Sequence, residues 1–372
     1  MLEEAFFKGI QDHLKTELPF VVYRKPNEIE VHALLQKDDL LYKINDYSES
    51  GFVFSPFDFR KDSLLIPYSK STGFSISREL FSESTSVKNT FQNQDNKDDY
   101  IELVQKAIIE IRRKRFQKIV LSRKASIPRQ INVIQTLIRL LNSYKSAFVY
   151  CWYHPKVGLW LGATPETLMK VEGNRFTTMA LAGTQRFTGS LSVEWSDKDK
   201  KEQQFVTDYI LTQISETIDN IIYSDLETIR AGQLLHLKTD ISGTISSGNT
   251  SLQELILLLH PTPAVCGTPK NESRQYLIDN EGYNREFYTG FLGELNKEVK
   301  IETRSSKRNI ESRAYNIQRR NSELFVNLRC LQSKANQAFI YIGGGITADS
   351  EPLSEWQETV EKAKTMEDII VY

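Results

Sequence analysis

Three consecutive glycines, Gly343 to Gly345, stand between an apolar run and a helix-forming stretch of the sequence. Glycine lets a ligand approach the backbone closely, and successive N–H groups in a turn can form an anion-binding concavity. The pattern predicts a buried strand over residues 338–342, a glycine turn, and then a helix with Ser354 as its N-cap. We expect the functional site to be built around this turn.

The predicted helix carries Glu355, Glu358 and Lys362, which are three and four residues apart. Residues at these spacings share one face of a helix. Two carboxylates and an ammonium beside an anion-binding turn suit an anionic substrate that is held through Mg²⁺, since this ion prefers oxygen ligands. A solvated helix face after a glycine turn is an equally good interpretation of this segment alone.

Composition narrows the class of protein. The 372 residues are 40% hydrophobic and 26% charged, which is typical of soluble globular proteins, and the net charge of −1 provides no field that would recruit nucleic acid or anionic membrane. No run of about 18 apolar residues and no apolar signal-peptide core is present. Cys151, Cys266 and Cys330 are widely spaced, which predicts reduced thiols in a cytoplasmic protein.

The pattern of predicted elements changes along the chain. A helix over residues 2–17 and several short strands come first, and the polar stretch 82–99 predicts a loop. Helices and strands then mix without regular βαβ alternation, which indicates an α+β fold, and one long helix is predicted over residues 197–222. The basic segment 304–320 predicts a solvated loop, with a nucleic-acid-binding arm as the less favoured alternative.

Two residues are candidates for proton transfer. Lys118 begins an apolar strand, where it is either an edge residue that reaches water, which we favour, or a buried amine whose pKa desolvation would lower. Glu166 follows Pro165 at a strand end, as an ordinary turn carboxylate or a general acid. Both interpretations stay open for each residue at this point.

Other polar positions are candidates for binding. Asp199 and Glu202, three apart in the long helix, would add carboxylates for Mg²⁺. Arg329 ends a strand, where it could hold a carboxylate in bidentate fashion. His236 is flanked by leucines, which predicts a packed, hydrogen-bonded core histidine rather than a catalytic one. The chain has no GxxxxGK[ST] loop, no GxGxxG opening a βαβ unit and no Ser–His–Asp motif.

Seven separated motifs resemble those of the chorismate-utilising enzymes and follow that family's order. They are KIVLSR at 118–123, GATPETL at 162–168, ALAGT at 180–184, LHPTPAVCGTP at 259–269, YTGFLG at 288–293, LRC at 328–330, and the glycine-to-lysine stretch 343–362. The resemblance implies one large α+β domain over 1–372, with two packed, antiparallel-rich β-sheets flanked by outer helices. In it, 98–372 would be the chorismate-binding catalytic region and 1–95 would complete the sandwich.

Within the family, Lys118 together with the small Ala182 resembles the isochorismate synthases, which add water at C2 of chorismate, rather than the members that add ammonia. The resemblance implies that Lys118 is the general base that deprotonates water. It implies that Glu166 is the general acid that protonates the departing C4 hydroxyl. No glutamine amidotransferase subunit is then expected, because the nucleophile is water.

The resemblance also implies the binding positions. Mg²⁺ would be held by Glu202 and Glu358, with Glu355 helping directly or through water. Chorismate would be held by Gly183, Thr184, Tyr288, Arg329, Gly343, Gly345 and Lys362. One motif departs from the family pattern: the usual E-x-x-E-H reads Asp199-Lys-Lys-Glu202-Gln203, so a glutamine replaces the histidine.

Two alternatives accompany this hypothesis. A salicylate synthase would form isochorismate and then eliminate pyruvate, and a non-catalytic chorismate-binding protein would bind without turnover. The product would serve menaquinone, siderophore or salicylate biosynthesis. We expect a monomer with no nucleic-acid or membrane partner, since no heptad repeat or other assembly signal is present.

Overall fold

The computed structural model describes residues 2–77, 96–232, 234–246, 250–300, 318–334 and 336–372. Most of the predicted polar loop 82–99 and most of the basic segment 304–320 lie outside the described residues. The last three residues of that segment, 318–320, open a strand.

The described strands form two large sheets in which every pairing is antiparallel. The first sheet has the order β15-β7-β19-β18-β9-β8-β1-β2-β6, with strand bounds β1 Phe20–Arg24, β2 Glu30–Gln36, β6 Ser71–Ser77, β7 Lys118–Ile127, β8 Phe148–His154, β9 Gly158–Thr164, β15 Gly267–Thr268, β18 Cys330–Lys334 and β19 Gln337–Ile346. Its first and last strands are far apart in sequence, so the sheet is held by long-range pairing.

The second sheet has the order β12-β14-β11-β10-β17-β16-β4-β5-β3, and β13 pairs with β14 beside this path. The strand bounds are β3 Tyr42–Lys43, β4 Gly51–Ser55, β5 Leu64–Pro67, β10 Thr167–Glu172, β11 Arg175–Arg186, β12 Ile218–Tyr223, β13 Glu227–Ala231, β14 Leu234–Ile245, β16 Phe291–Lys300 and β17 Gln318–Val326. The strands before residue 78 are divided between the two sheets.

Seven α-helices lie among the described residues: α1 Leu2–Lys15, α2 Lys97–Arg112, α3 Val133–Ser143, α4 Asp197–Ile214, α5 Leu252–Leu259, α6 Lys270–Asn280 and α7 Pro352–Glu367. Helices α1 and α3 bury apolar faces against the first sheet, and α4 and α5 bury theirs against the second. The predicted α+β fold with two antiparallel sheets and outer helices is therefore confirmed. None of the described helices combines the length and the apolar character needed to cross a membrane.

An aromatic core joins the facing sides of the two sheets. Phe148 of the first sheet stacks on Phe325 of the second with ring centroids 4.1 Å apart, and the ring centroids of Trp152 of the first sheet and Phe54 of the second are 4.8 Å apart. Burying a side chain of this size contributes about 1.5–3 kcal/mol. Strands buried on both faces read as continuous apolar runs, which explains why the central strands could be located from sequence.

Three local predictions are wrong. The glycine triplet is not a turn, because Gly343 to Gly345 continue β19 and pair with β7. Ser354 is not the N-cap of α7, which begins at Pro352 after Glu351. The long helix ends at Ile214 rather than near 222, because the β-branched residues of β12 pair with β14 instead.

Candidate active site

One cavity lies between the ends of the two sheets, beneath α4 and α7. Eleven of the twelve predicted site residues line it: Lys118, Glu166, Gly183, Thr184, Glu202, Tyr288, Arg329, Gly343, Gly345, Glu358 and Lys362. The twelfth, Glu355, does not line it, but a Cβ placed on the neighbouring Gly344 would lie 3.6 Å from Glu355 Oε2. The structure thus brings together residues that are up to 244 positions apart in the sequence.

Lys118 is buried at the start of β7, with 5% of its surface exposed. Its strand position is paired with Thr268 of β15, so our preferred interpretation of an edge lysine reaching water is wrong. Lys118 Nζ instead lies 2.6 Å from Glu202 Oε1. A Cβ at Gly345 would lie 2.7 Å from Lys118 Cε, so glycine on the adjacent strand makes room for the lysine side chain.

Glu166 lies between β9 and β10, with 3% of its surface exposed. Burial raises the pKa of Glu166 to about 7, although a hydrogen bond and the charges of Lys118 and Arg329 act in the opposite direction. The hydrogen bond is donated by Thr262 Oγ1 to Glu166 Oε1 at 3.3 Å. Glu166 therefore holds a proton up to neutral pH, as a general acid must.

The carboxylates of the two acidic helices are paired with ammonium groups. Burial pushes the pKa of Glu202 upward, but Lys118 outweighs it and the pKa is lowered. Lys362 lowers the pKa of Glu358, and Lys362 Nζ lies 2.6 Å from Glu358 Oε1. Glu355 differs, since burial raises its pKa and Lys198 Nζ lies 3.9 Å away.

Gly343 and Gly345, but not the Gly344 between them, direct their backbone N–H and C=O groups toward the cavity side of β19. In an antiparallel pair, a residue directs its N–H and C=O to the same side, and this side alternates along the strand. Gly343 and Gly345 lie opposite Ser122 and Val120. The N–H groups of those two partners bond elsewhere, at 2.7 Å to a glutamate side chain and at 2.9 Å to a backbone carbonyl. Gly343 and Gly345 therefore direct their peptide groups away from β7.

Among the described residues, no strand pairs with Gly343 to Gly345 on the side away from β7. The pairing of β18 with β19 ends at Ile340, before the triplet begins. Lys362 Nζ donates to Gly343 O at 3.0 Å, which confirms the outward direction of this peptide group. The N–H groups of Gly343 and Gly345 thus point into the cavity from a strand, where the sequence predicted a turn.

Sequence reasoning did not identify as functional two residues that contact predicted site residues, His236 and Thr262. His236 is buried and hydrogen-bonded, as predicted, but it also lines the cavity and contacts Arg329. Thr262 reaches Glu166 from the Pro-rich turn after α5. Neither has a sequence signature of its own, because each acts through a contact with a residue at least 90 positions away.

The carboxylates near Gly344 have the donor chemistry of a magnesium site. Cβ atoms built on Gly344 and Gly345 would lie 3.6 Å from Glu355 Oε2, 3.9 Å from Glu358 Oε1 and 3.6 Å from Glu202 Oε1. Carboxylate oxygens are the ligands that Mg²⁺ takes. In the part of the chain that the structure describes, no three His, Cys, Asp or Glu side chains are close enough to enclose an ion. A cation would have to compete with Lys118 and Lys362 for these oxygens.

Comparisons with known proteins match most of this chain to one family. A family model described as "chorismate binding enzyme" matches residues 69–306, and a second of the same description matches residues 314–368. Isochorismate synthase EntC of Escherichia coli K12 is 31% identical over 218 residues, 56% of this chain and 50% of that protein. Isochorismate synthase DhbC of Bacillus subtilis is 27% identical over 289 residues, 72% of this chain and 67% of that protein.

The fold is also that of solved structures. A putative 2,3-dihydroxybenzoate-specific isochorismate synthase from Bacillus anthracis superposes with a TM-score of 0.75 at 23% identity, covering 96% of this chain and 98% of the other. The match to the Escherichia coli relative spans only about half of that protein's length. Because the family model matches well over half of the sequence, this chain belongs to the family of chorismate binding enzymes.

Proposed function

We propose that the protein is an isochorismate synthase, which converts chorismate to isochorismate. The observation that carries the proposal is the pair formed by Lys118 and Glu166, both buried and both lining one cavity. The curated relatives named above carry the same activity in their names. An isomerase of this kind needs one group that accepts a proton and one that donates a proton, on different atoms of the same substrate.

The proposed reaction is an allylic displacement. The oxygen of a water molecule bonds to C2 while Lys118 Nζ takes a proton from that water. For this, the ammonium that faces Glu202 in the free protein must first have released its own proton. The double bonds shift, the C4–O bond breaks, and the hydroxyl leaves with the proton of Glu166. One water enters and one leaves, so substrate and product have the same composition. Because burial raises the pKa of Glu166 to about 7, its carboxyl group can supply the proton that the leaving group requires.

The same cavity offers groups for the substrate's carboxylates. We propose that the N–H groups of Gly343 and Gly345 bind the enolpyruvyl carboxylate, together with Tyr288, Arg329 and Lys362. All five line the cavity, and a Cβ at Gly343 would lie 2.8 Å from Tyr288 Oη, so the tyrosine hydroxyl is beside the glycine strand. Gly183 and Thr184 would lie on the C4 side, toward Glu166.

We propose Mg²⁺ as the cofactor, with Glu202, Glu358 and Glu355 as its protein ligands. The bound cation would neutralise the charge of a substrate carboxylate that would otherwise be repelled by these acids. The chain's own part is to hold the carboxylates in place from two helices. Ser196 does this for α4, because its side chain caps the first turn by accepting from Asp199 N at 3.1 Å.

Incubation of the purified protein with chorismate and Mg²⁺, followed by chromatographic separation of the products, tests the proposal. Isochorismate is the expected product, and chelation of the cation is expected to stop its formation. Fluorescence of released salicylate would instead identify a salicylate synthase. Chorismate binding without any product, or an aminated product that requires ammonia, would contradict the proposal.

A further inference from the structure

The strand pair β11–β14 contains an irregularity at the cavity. Ala182 pairs with Leu237 and Gln185 pairs with Leu235, so two residues of β11 lie opposite the single residue His236 of β14. This is a β-bulge, a device that redirects backbone groups next to functional sites. Its first residue, Gly183, has φ +70°, a conformation that glycine adopts without strain.

The imidazole of His236 fills the space opposite the bulge and bonds in two directions. Nδ1 lies 2.7 Å from Gly183 O, which can only accept, so Nδ1 carries the proton. Nε2 contacts Arg329 Nη2, which can only donate, so Nε2 is unprotonated. Both contacts are satisfied by one neutral tautomer and by no other protonation state.

The surroundings of the ring favour the neutral form. Burial, followed by the positive charges of Arg329 and Lys362, lowers the pKa of His236 to about 3, while its bond to Gly183 acts in the opposite direction. Arg329 Nη1 donates to Ala231 O at 3.0 Å. The guanidinium is thus held at two of its five N–H donors, and Arg329 lines the cavity.

We propose that His236 is a positioning residue that couples the Gly183 bulge to the Arg329 guanidinium through this single tautomer. The inference rests on the proposed function in that Arg329 is taken to bind a substrate carboxylate. Arg329 loses a hydrogen-bond acceptor that orients it when Nε2 of His236 is removed. The bulge loses the hydrogen bond to Gly183 O when Nδ1–H is removed. Each half can be removed separately.

Two substitutions separate the halves. His236→Gln places an amide oxygen near the position of Nε2 and can still accept from Arg329, but it loses the donor to Gly183. His236→Asn places an amide N–H near Nδ1 and keeps that donor, but it leaves Arg329 without its acceptor. We expect His236→Asn to raise KM for chorismate by about ten- to hundredfold, the range of a hydrogen bond to a charged group, with a smaller change in kcat. His236→Gln should raise KM much less.

His154 provides matched control variants. It is also buried, its ring also bonds to backbone groups at both nitrogens, and it does not line the cavity. His154→Asn and His154→Gln report the effect of altering a buried histidine elsewhere, and KM should stay unchanged in both. Equal effects of the two His236 variants on KM, or a larger effect of His236→Gln, would overturn the proposal.

A second measurement does not depend on turnover. ¹⁵N NMR of protein with labelled histidine distinguishes protonated from unprotonated ring nitrogens, and the His236 signals are assigned among the five histidines by their loss in His236→Gln. We expect a protonated Nδ1 and an unprotonated Nε2 between pH 6 and pH 8, with the Nε2 signal shifting in Arg329→Met. A protonated Nε2, or no response to Arg329→Met, refutes the inference even if isochorismate is formed. If the tautomer is confirmed but the protein forms no isochorismate, the proposed function is wrong and the inference about His236 stands.

Discussion

Glu166 and Glu202 lie in the same cavity, yet their surroundings act on them in opposite directions. Glu166 is buried beside a threonine hydroxyl, and burial raises its pKa to about 7. Glu202 is paired with Lys118 at 2.6 Å, and its pKa is lowered despite burial. The comparison teaches that the nearest charged partner, rather than the degree of burial, decides which carboxylate keeps a proton.

The largest effect is expected from a substitution at Lys118, the residue that makes Glu202 differ from Glu166. Lys118→Ala removes the proposed base, and loss of a general base lowers kcat by about 10²–10⁴-fold. It also leaves Glu202 without its ammonium, so the free energy of unfolding should fall. The fall should be smaller than the roughly 3–5 kcal/mol seen when fully buried pairs are broken, because 20% of the Glu202 side chain is exposed. Isochorismate formation and urea unfolding measure both effects, and near-normal turnover would show that the assigned role is wrong.

The second prediction concerns Glu166→Gln, which should lower kcat by a similar factor but change stability with the opposite sign. The folded-state pKa of Glu166 lies above its unfolded value, so the folded protein binds the extra proton between about pH 4.5 and 7. Wild-type stability should therefore fall as pH rises through this window. The variant lacks this loss, and above pH 7 it should be more stable by up to about 3 kcal/mol.

Glu367 is the control for that prediction. Burial raises its pKa to about 7 as well, and it lies at the end of α7 outside the cavity. Glu367→Gln should change the pH dependence of stability in the same direction and leave turnover unchanged. A Glu166→Gln protein that is less stable than wild type at pH 8 would contradict the account of this carboxyl.

The third prediction compares the pH profiles of the wild-type protein and Glu166→Gln. The proposed acid Glu166 has to be protonated, so the ratio of the wild-type kcat/KM to that of Glu166→Gln should fall as pH rises through about 7. The requirement for an unprotonated Lys118 applies to both proteins and cancels in this ratio. Steady-state rates at constant ionic strength measure it, and a constant ratio between pH 6 and 9 would indicate that Glu166 does not supply the proton.

The smallest effect is expected from Thr262→Val. The Thr262 hydroxyl lowers the pKa of Glu166 by donating to it, so its loss should move the fall that Glu166 causes in this ratio to higher pH. One hydrogen bond contributes about 0.5–1.5 kcal/mol, so the displacement should be about one pH unit or less. A shift to lower pH would reverse the assigned effect of this contact.

Much of the architecture could be predicted because its cause is local. The apolar strand that Lys118 was predicted to begin is β7, and the long helix predicted from residue 197 begins at that residue as α4. The predicted strand over residues 338–342 lies within the longer strand β19, which its pairing with β7 extends to Ile346.

The errors arose where a distant part of the chain decides the local outcome. Three glycines favour a turn on their own, but pairing with β7 keeps Gly343 to Gly345 extended. Lys118 looked like an edge residue because the two-residue strand β15 that covers it is too short to be seen in the sequence. His236 could not be assigned a task, since both of its partners become neighbours only through the bulge and the strand end.

The division of the early strands between the sheets has a consequence for biosynthesis. Phe52 of β4 finds its partner Glu294 on β16 about 240 residues later, and β1 pairs with β8 only after about 130 residues. At translation rates of about 5–20 residues per second, the edge of β4 that pairs with β16 waits roughly 10–50 seconds for its partner, whereas β5 pairs with the other edge much sooner. The nascent chain therefore carries aromatic strands with one unpaired edge during most of its synthesis, and holding chaperones should raise the yield of folded protein.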